Sequence, residues 1–222
     1  MKLRISTLFF ILFLIKFNGF TQNEGAPFYD AILHFKQIDK TNPPSKNAIL
    51  FVGSSSFTIW HNIQEYFPDF IIINRGFGGS TLADQIRFTD DVVFPYAPKQ
   101  IVIYCGENDF ANSDTITSQM VIQRFSTLFN LIRTGLPEVT ISYVSMKPSP
   151  SRWHLANNFI EANQGIQRYI ESKPNASYID IWDGMLGFDA TPSKELYLDD
   201  MLHMNAKGYA LWQKAITSHL SK

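Results

Sequence analysis

The chain has 222 residues, 45% hydrophobic, 14% aromatic and 18% charged, with a formal net charge of -1. That composition suits a globular core in one domain or two small ones and excludes a disordered or collagen-like chain. The charge balance leaves no basic footprint for nucleic acid. A single cysteine, Cys105, excludes an intramolecular disulfide and a cysteine-based zinc cluster.

The N-terminus has the layout of a secretory signal. Lys2 and Arg4 precede an apolar run from Leu8 to Ile15, and a polar exit follows through Asn18, Thr21 and Gln22. The run falls short of the ~20 apolar residues a spanning helix needs. We therefore expect residues 1–21 to be a signal peptide, with cleavage near Thr21–Gln22, and residues 22–222 to be one exported domain. No cysteine lies near the exit, so a lipoprotein anchor is not expected, nor is stable membrane insertion after cleavage. Removing this segment takes away three basic residues and no acidic one, so the exported chain is the more acidic.

Along the remaining chain, apolar runs alternate with amphipathic stretches. Pro27 to Lys40 reads as a helix, with Phe28, Ile32, Phe35 and Ile38 near helical spacing. Thr41-Asn-Pro-Pro-Ser45 stops it. Ala48–Val52 reads as a buried strand ending at Gly53. Phe70–Asn74, Gln100–Cys105, Val139–Val144 and Tyr178–Ile181 read as four more. Between and after them lie helical patterns at Thr81–Val93, Thr115–Arg133, Leu155–Glu171 and Asn205–Leu220. Strand–helix alternation with continuously apolar strands predicts a parallel sheet covered on both faces.

In such a sheet, sites form beyond the carboxyl ends of the strands. The first strand is followed by Gly53-Ser-Ser-Ser56 and the second by Asn74-Arg-Gly-Phe-Gly-Gly-Ser80. The third is followed by Gly106-Glu-Asn-Asp109, and Asp199-Asp-Met-Leu-His-Met-Asn205 precedes the last helix. Each block alone has a bland explanation, since glycine, serine, asparagine and aspartate make turns. Together they supply a hydroxyl, oxyanion donors and an acid–base pair. A serine hydroxyl needs a base, and His203 can take its proton and return it to a leaving group. Asp200, three residues earlier, can reach the other ring nitrogen and hold its tautomer. The Gly79 N–H and the Asn108 amide can stabilise an oxyanion.

These four blocks, in this order, resemble the SGNH (GDSL-type) hydrolase family, over Ile49 to Trp212. The resemblance implies Ser55 as nucleophile, Gly79 and Asn108 as oxyanion donors, and the Asp200–His203 pair. It also implies a flavodoxin-like three-layer α/β/α sandwich around a five-stranded parallel sheet. One position departs: Ser54 stands where the family's Gly-Asp-Ser block carries aspartate. Ser54 and Ser56 are thus rival nucleophiles, and the support of this loop is in question.

Other readings fit less well. An α/β-hydrolase elbow wants Gly-x-Ser-x-Gly, and neither Gly53–Phe57 nor Gly78–Leu82 has the second glycine. A dinucleotide fingerprint would need a third glycine where Thr81 stands. Asp199, Asp200, His203 and His154 could bind a divalent cation, but an acid–base pair beside a surface acid is simpler. No metal or cofactor is expected. The loop Lys147-Pro-Ser-Pro-Ser-Arg-Trp-His154 is expected to overhang the site. Arg75 or Arg152 could bind an anionic or sugar group, and Trp153 or Trp60 could stack on a ring. Equally, the aromatics could pack under the loop and the arginines pair with Glu107 or Asp109. Cys105 reads as a small buried hydrophobe. The expected activity is hydrolysis of a carboxylic ester, with short acyl groups on a small molecule or carbohydrate as first choice. The alternatives are a lysophospholipase or thioesterase of the same family and a catalytically dead carbohydrate-binding relative.

Overall fold

The structure, a computed structural model, describes residues 25–222. The expected signal peptide therefore lies outside the described residues. Among the described residues, no helix is long and apolar enough to cross a membrane.

Helix α1 (Tyr29–Thr41) leads into strand β1 (Ile49–Gly53), followed by short helices α2 (Ser55–Thr58) and α3 (Ile63–Tyr66). Strand β2 (Ile72–Gly76) precedes α4 (Leu82–Arg87) and α5 (Thr89–Val92). Strand β3 (Gln100–Tyr104) precedes α6 (Glu107–Ala111) and α7 (Ser118–Gly135). Strand β4 (Thr140–Val144), helix α8 (Ala156–Glu171), strand β5 (Ala176–Ile179) and helix α9 (Ala206–Thr217) complete the fold. The five strands form one sheet in the order β2-β1-β3-β4-β5, every pair parallel. This is the flavodoxin-like order of a doubly wound sheet, whose direction of winding switches between β1 and β3.

The central strands are buried on both faces, which explains their unbroken apolar runs. In β1, Leu50 and Val52 join one core while Ile49 and Phe51 join the other. In β3, Ile101 and Ile103 alternate likewise with Val102 and Tyr104. Helices α1, α4, α5, α7 and α8 cover the first face, through residues such as Ile32, Leu82, Val92, Phe125 and Phe159. Helices α2, α3 and α9 cover the second with Phe57, Ile63, Tyr209, Trp212 and Ile216. Helix α7 buries Val121, Phe125, Leu128, Phe129 and Ile132 on one stripe, and the Thr117 hydroxyl caps it by accepting from Met120 N.

Most element ends shift by one to three residues from the sequence reading, and three of the differences have a clear local cause. β2 begins at Ile72, not Phe70, because the Gln64 side chain holds the approach: its Nε2 donates to Phe70 O (2.8 Å) and its Oε1 accepts from Ile72 N (3.1 Å). β5 runs Ala176–Ile179 and ends where Asp180 turns the chain by accepting from Trp182 N. The single helix expected over Thr81–Val93 is two, broken at Phe88, whose backbone is not helical. Thr89 there donates back to Gln85 O at 2.7 Å, a bond that bends helices.

Candidate active site

The carboxyl ends of β1 and β3 meet closely. Gly53 sits at φ +145, and a Cβ there would overlap the Tyr104 carbonyl oxygen. Only glycine permits this approach. It brings Ser54 N within 3.0 Å of Tyr104 O and starts α2 at Ser55. The Gly53 carbonyl also gathers the segment after β2: it accepts from Phe77 N (2.9 Å), Ser80 Oγ (3.3 Å) and Gln85 Nε2 (3.2 Å).

The three serines now separate. Ser54 and Ser56 are buried, whereas Ser55 is partly open. Ser55 Oγ lies 2.9 Å from His203 Nε2. His203 Nδ1 lies 2.5 Å from Asp200 Oδ2, and Asp200 Oδ1 accepts from the backbone N–H groups of Leu202 and His203, each at 2.9 Å. Partial burial pushes the Asp200 carboxyl up, but those bonds and the imidazole outweigh it and hold the group at about 2. It is therefore an anion at any ordinary pH. A hydroxyl, an imidazole and a carboxylate thus stand in series, an arrangement able to activate the hydroxyl as a nucleophile.

Asn108 lies beside them and is buried. Its Nδ2 donates to Ser54 Oγ (2.7 Å) and to Ser80 O (3.0 Å). The serine in place of aspartate is thus a hydrogen-bond partner of Asn108, which answers the question about the loop's support. Gly79 lies in the turn after β2 at φ +83, exposed, beside Phe28. At the neighbouring Gly78, an added Cβ would sit 3.7 Å from Ser55 Cβ, so this turn flanks the serine. Within α2, the N–H groups of Phe57 and Thr58 donate to Ser54 O at 3.0 and 3.2 Å.

Arg152 reaches the cleft formed with Ser54, Ser55, Glu107 and Asn108. It donates to Asn108 Oδ1 (2.8 Å) and Glu107 Oε2 (3.2 Å). It borders the cleft, and it makes the pairing with Glu107 that the sequence reading offered as one alternative. Arg75 does not join them. Its guanidinium is committed to Asp39 and the Tyr96 hydroxyl and lies over the Phe35 and Tyr96 rings. Trp60 is buried and stacks on Tyr209, so it is a core residue. Trp153 is half-buried and stacks on Trp182, ring centroids 6.1 Å apart. Cys105 is buried, and burial pushes its thiol well up. Among the described residues, no three His, Cys, Asp or Glu side chains gather as metal ligands, so Asp199, Asp200, His203 and His154 form no such set.

Sequence reasoning missed the partners behind Arg152. Lys147 Nζ donates to both Glu107 oxygens, at 3.1 and 3.2 Å, and the Tyr104 hydroxyl also bonds Glu107. Burial pushes the Glu107 carboxyl up, but Lys147 and Arg152 outweigh it and hold the group below its ordinary value. Burial pushes the Lys147 ammonium down, and Glu107 opposes this. Glu107 and Lys147 were visible as opposite charges just past the ends of β3 and β4, which are neighbours in the sheet. On the far side, Asp109 accepts from Leu82 N (2.9 Å) and pairs with Arg124 (2.6 Å), pinning the start of α4 to α6.

Residues 52–211 match the model of the GDSL-like Lipase/Acylhydrolase family. Comparison with curated proteins finds no match. Solved structures share the fold. A GDSL-like lipase from Bacteroides thetaiotaomicron VPI-5482 superposes with a TM-score of 0.70 at 17% identity, covering 85% of this chain and 96% of that one. A lipase/acylhydrolase from Enterococcus faecalis gives 0.63 at 19%, covering 78% and 97%. A variant of an acetyl-xylooligosaccharide esterase from Geobacillus stearmophilus gives 0.62 at 15%, covering 79% and 94%.

Proposed function

The chain belongs to the GDSL-like lipase/acylhydrolase family, and from that premise we propose that it is a serine esterase acting through an acyl-enzyme on Ser55. The reading rests above all on the 2.9 Å contact between Ser55 Oγ and His203 Nε2, with Asp200 behind the ring. His203 takes the hydroxyl proton as Ser55 Oγ attacks the ester carbonyl. Asn108 Nδ2, turning one N–H from Ser54 Oγ to the substrate, holds the tetrahedral oxyanion together with the N–H groups of Ser55 and Gly79. Collapse breaks the ester C–O bond, and the alcohol leaves with the proton from His203. Water, deprotonated by His203, then attacks the acyl-enzyme and frees the acid and Ser55.

The substrate we propose is a short acyl ester on a carbohydrate. Two observations support it. The cleft beside Ser55 is narrow and lined by polar groups, which disfavours a long chain. Trp182, which stacks on Trp153, borders a groove of about 330 Å³ whose other walls include Gln164, Asp180 and Asp183, aromatic and polar groups of the kind that hold a sugar. The acetyl-xylooligosaccharide esterase of like fold is consistent with this choice. Export through residues 1–21 belongs to the same proposal, and N-terminal sequencing of secreted protein tests it.

A fluorophosphonate probe with peptide mapping tests the mechanism without knowledge of the substrate. The expected adduct is on Ser55. An adduct on Ser54 or Ser56, or none on folded protein, would overturn the reading.

A further inference from the structure

The loop after β4 delivers a cation to the back of the Asn108 amide. Asn108 Oδ1 accepts from Arg152 Nη2 at 2.8 Å, while Nδ2 donates to Ser54 Oγ and Ser80 O. A guanidinium has only donors and a backbone carbonyl only accepts. The amide therefore satisfies its partners in one orientation, with oxygen toward Arg152 and nitrogen toward Ser54, next to Ser55. Arg152 is itself fixed, because Nη1 donates to Glu107 Oε2 at 3.2 Å. Glu107 is buried and shared with Lys147, also buried, whose backbone N–H donates to it as well, at 3.1 Å. One carboxylate thus faces two cations, and the cluster keeps one positive charge beside the serine. These side chains are largely buried, so that charge is screened less than an exposed one would be.

We propose that Arg152 is a positioning residue for the oxyanion-binding amide. Its charge-assisted bond fixes the Asn108 amide in one orientation and polarises it, so that the N–H now given to Ser54 Oγ is a stronger donor to a developing negative oxygen that takes the place of that hydroxyl. The role rests on the reading of Ser55 as nucleophile and goes beyond it. It makes Arg152 a residue of turnover, not of substrate affinity. It also needs arginine in particular, since one planar fork bridges Glu107 and Asn108, which a single ammonium cannot do at the same reach.

The test compares Arg152→Gln, Arg152→Lys and Arg152→Ala with the unaltered full chain, using p-nitrophenyl acetate turnover and the rate of fluorophosphonate labelling. In the Gln and Lys variants kcat and labelling rate are expected to fall about 10- to 100-fold, the usual scale for losing a partner that orients a reacting group. KM stays within about twofold, since uniform binding is untouched. Millimolar guanidinium is expected to restore part of the turnover of Arg152→Ala and none to Asn108→Ala. Arg152→Lys keeps a cation against Glu107, so it is the variant to rely on should the others lose their fold. Full kcat in Arg152→Lys and Arg152→Gln, or a loss confined to KM, would overturn the proposal while leaving Ser55 labelled. An unaltered chain that takes no label would remove the nucleophile reading and the Arg152 role together.

Discussion

Asn108 Nδ2 donates to Ser54 Oγ at 2.7 Å, joining the residue before the proposed nucleophile to the first turn after β3. The bond gives the departure from Gly-Asp-Ser a physical reading. Serine, like aspartate, offers an oxygen that can accept from the asparagine amide, but without a charge.

Ser54→Ala should therefore leave fluorophosphonate labelling on Ser55 and reduce turnover by no more than about tenfold, the scale of one neutral hydrogen bond. Asn108→Ala should cost about 10²–10³ in kcat, the usual loss for an oxyanion donor. Steady-state kinetics on both variants would decide. Abolished labelling in Ser54→Ala would mean that the nucleophile had been misassigned.

Asp200 supplies a test in pH. Its carboxyl is held at about 2, below the ordinary ~3.9 of an unfolded aspartate. A depressed carboxylate contributes stability that is complete above the unfolded value and lost as pH falls through the folded one. The difference in Tm between the unaltered chain and Asp200→Asn should be constant from pH 5 to 8 and shrink between pH 4 and 2. Turnover of Asp200→Asn should fall at every pH in the upper window, because the imidazole loses the acceptor that fixes its tautomer. A Tm difference that grows on acidification would contradict the assignment.

The buried Glu107–Lys147 pair should be costly to break and cheaper to replace. Lys147→Met leaves Glu107 with Arg152, the Tyr104 hydroxyl and the backbone N–H at position 147, a change expected to destabilise by about 3–5 kcal/mol. Adding Glu107→Gln should recover part of that loss, because an isolated buried charge is worse than none. Urea unfolding of the two single variants and the double would measure the coupling. Additive losses would mean that the two groups do not stabilise each other.

Trp182→Ala addresses the sugar. It should raise KM for an acetylated oligosaccharide by about three- to tenfold, as expected for one lost aromatic contact, and leave p-nitrophenyl acetate turnover unchanged. Equal effects on both substrates would place Trp182 in the general support of the site and remove the groove from substrate binding.

Much of this molecule was legible in its sequence because the sheet is buried on both faces. Ile49–Val52 and Ile101–Tyr104 read as strands for the reason they are strands: each side chain meets a core. Ser55, Gly79 and Asn108 lie just past the ends of β1, β2 and β3, where a parallel sheet gathers its loops, and Asp200 and His203 stand just before the last helix. The short helices α2, α3 and α6 were not legible, since four or five residues cannot show a 3.6-residue period. The partners of Arg75 were not legible from its place in the chain alone. It lies on the edge strand β2, and Asp39 and Tyr96, far off in sequence, claim it. The Arg152–Glu107 pair was among the alternatives read from the sequence, whereas the part played by Lys147 escaped, although β3 and β4 lie side by side and bring the two loops together.

The Gly53 carbonyl, gripped by Phe77, Ser80 and Gln85, removes any slack between the serine's loop and the turn that flanks it. Neither can swing without tearing the end of a central strand. Such a cleft selects its substrate by the shape it already has, not by closing around it. Its working life on heating should then be that of the whole molecule, with activity disappearing at the melting transition and no earlier, and with the Phe77 amide among the last to exchange its hydrogen for solvent deuterium.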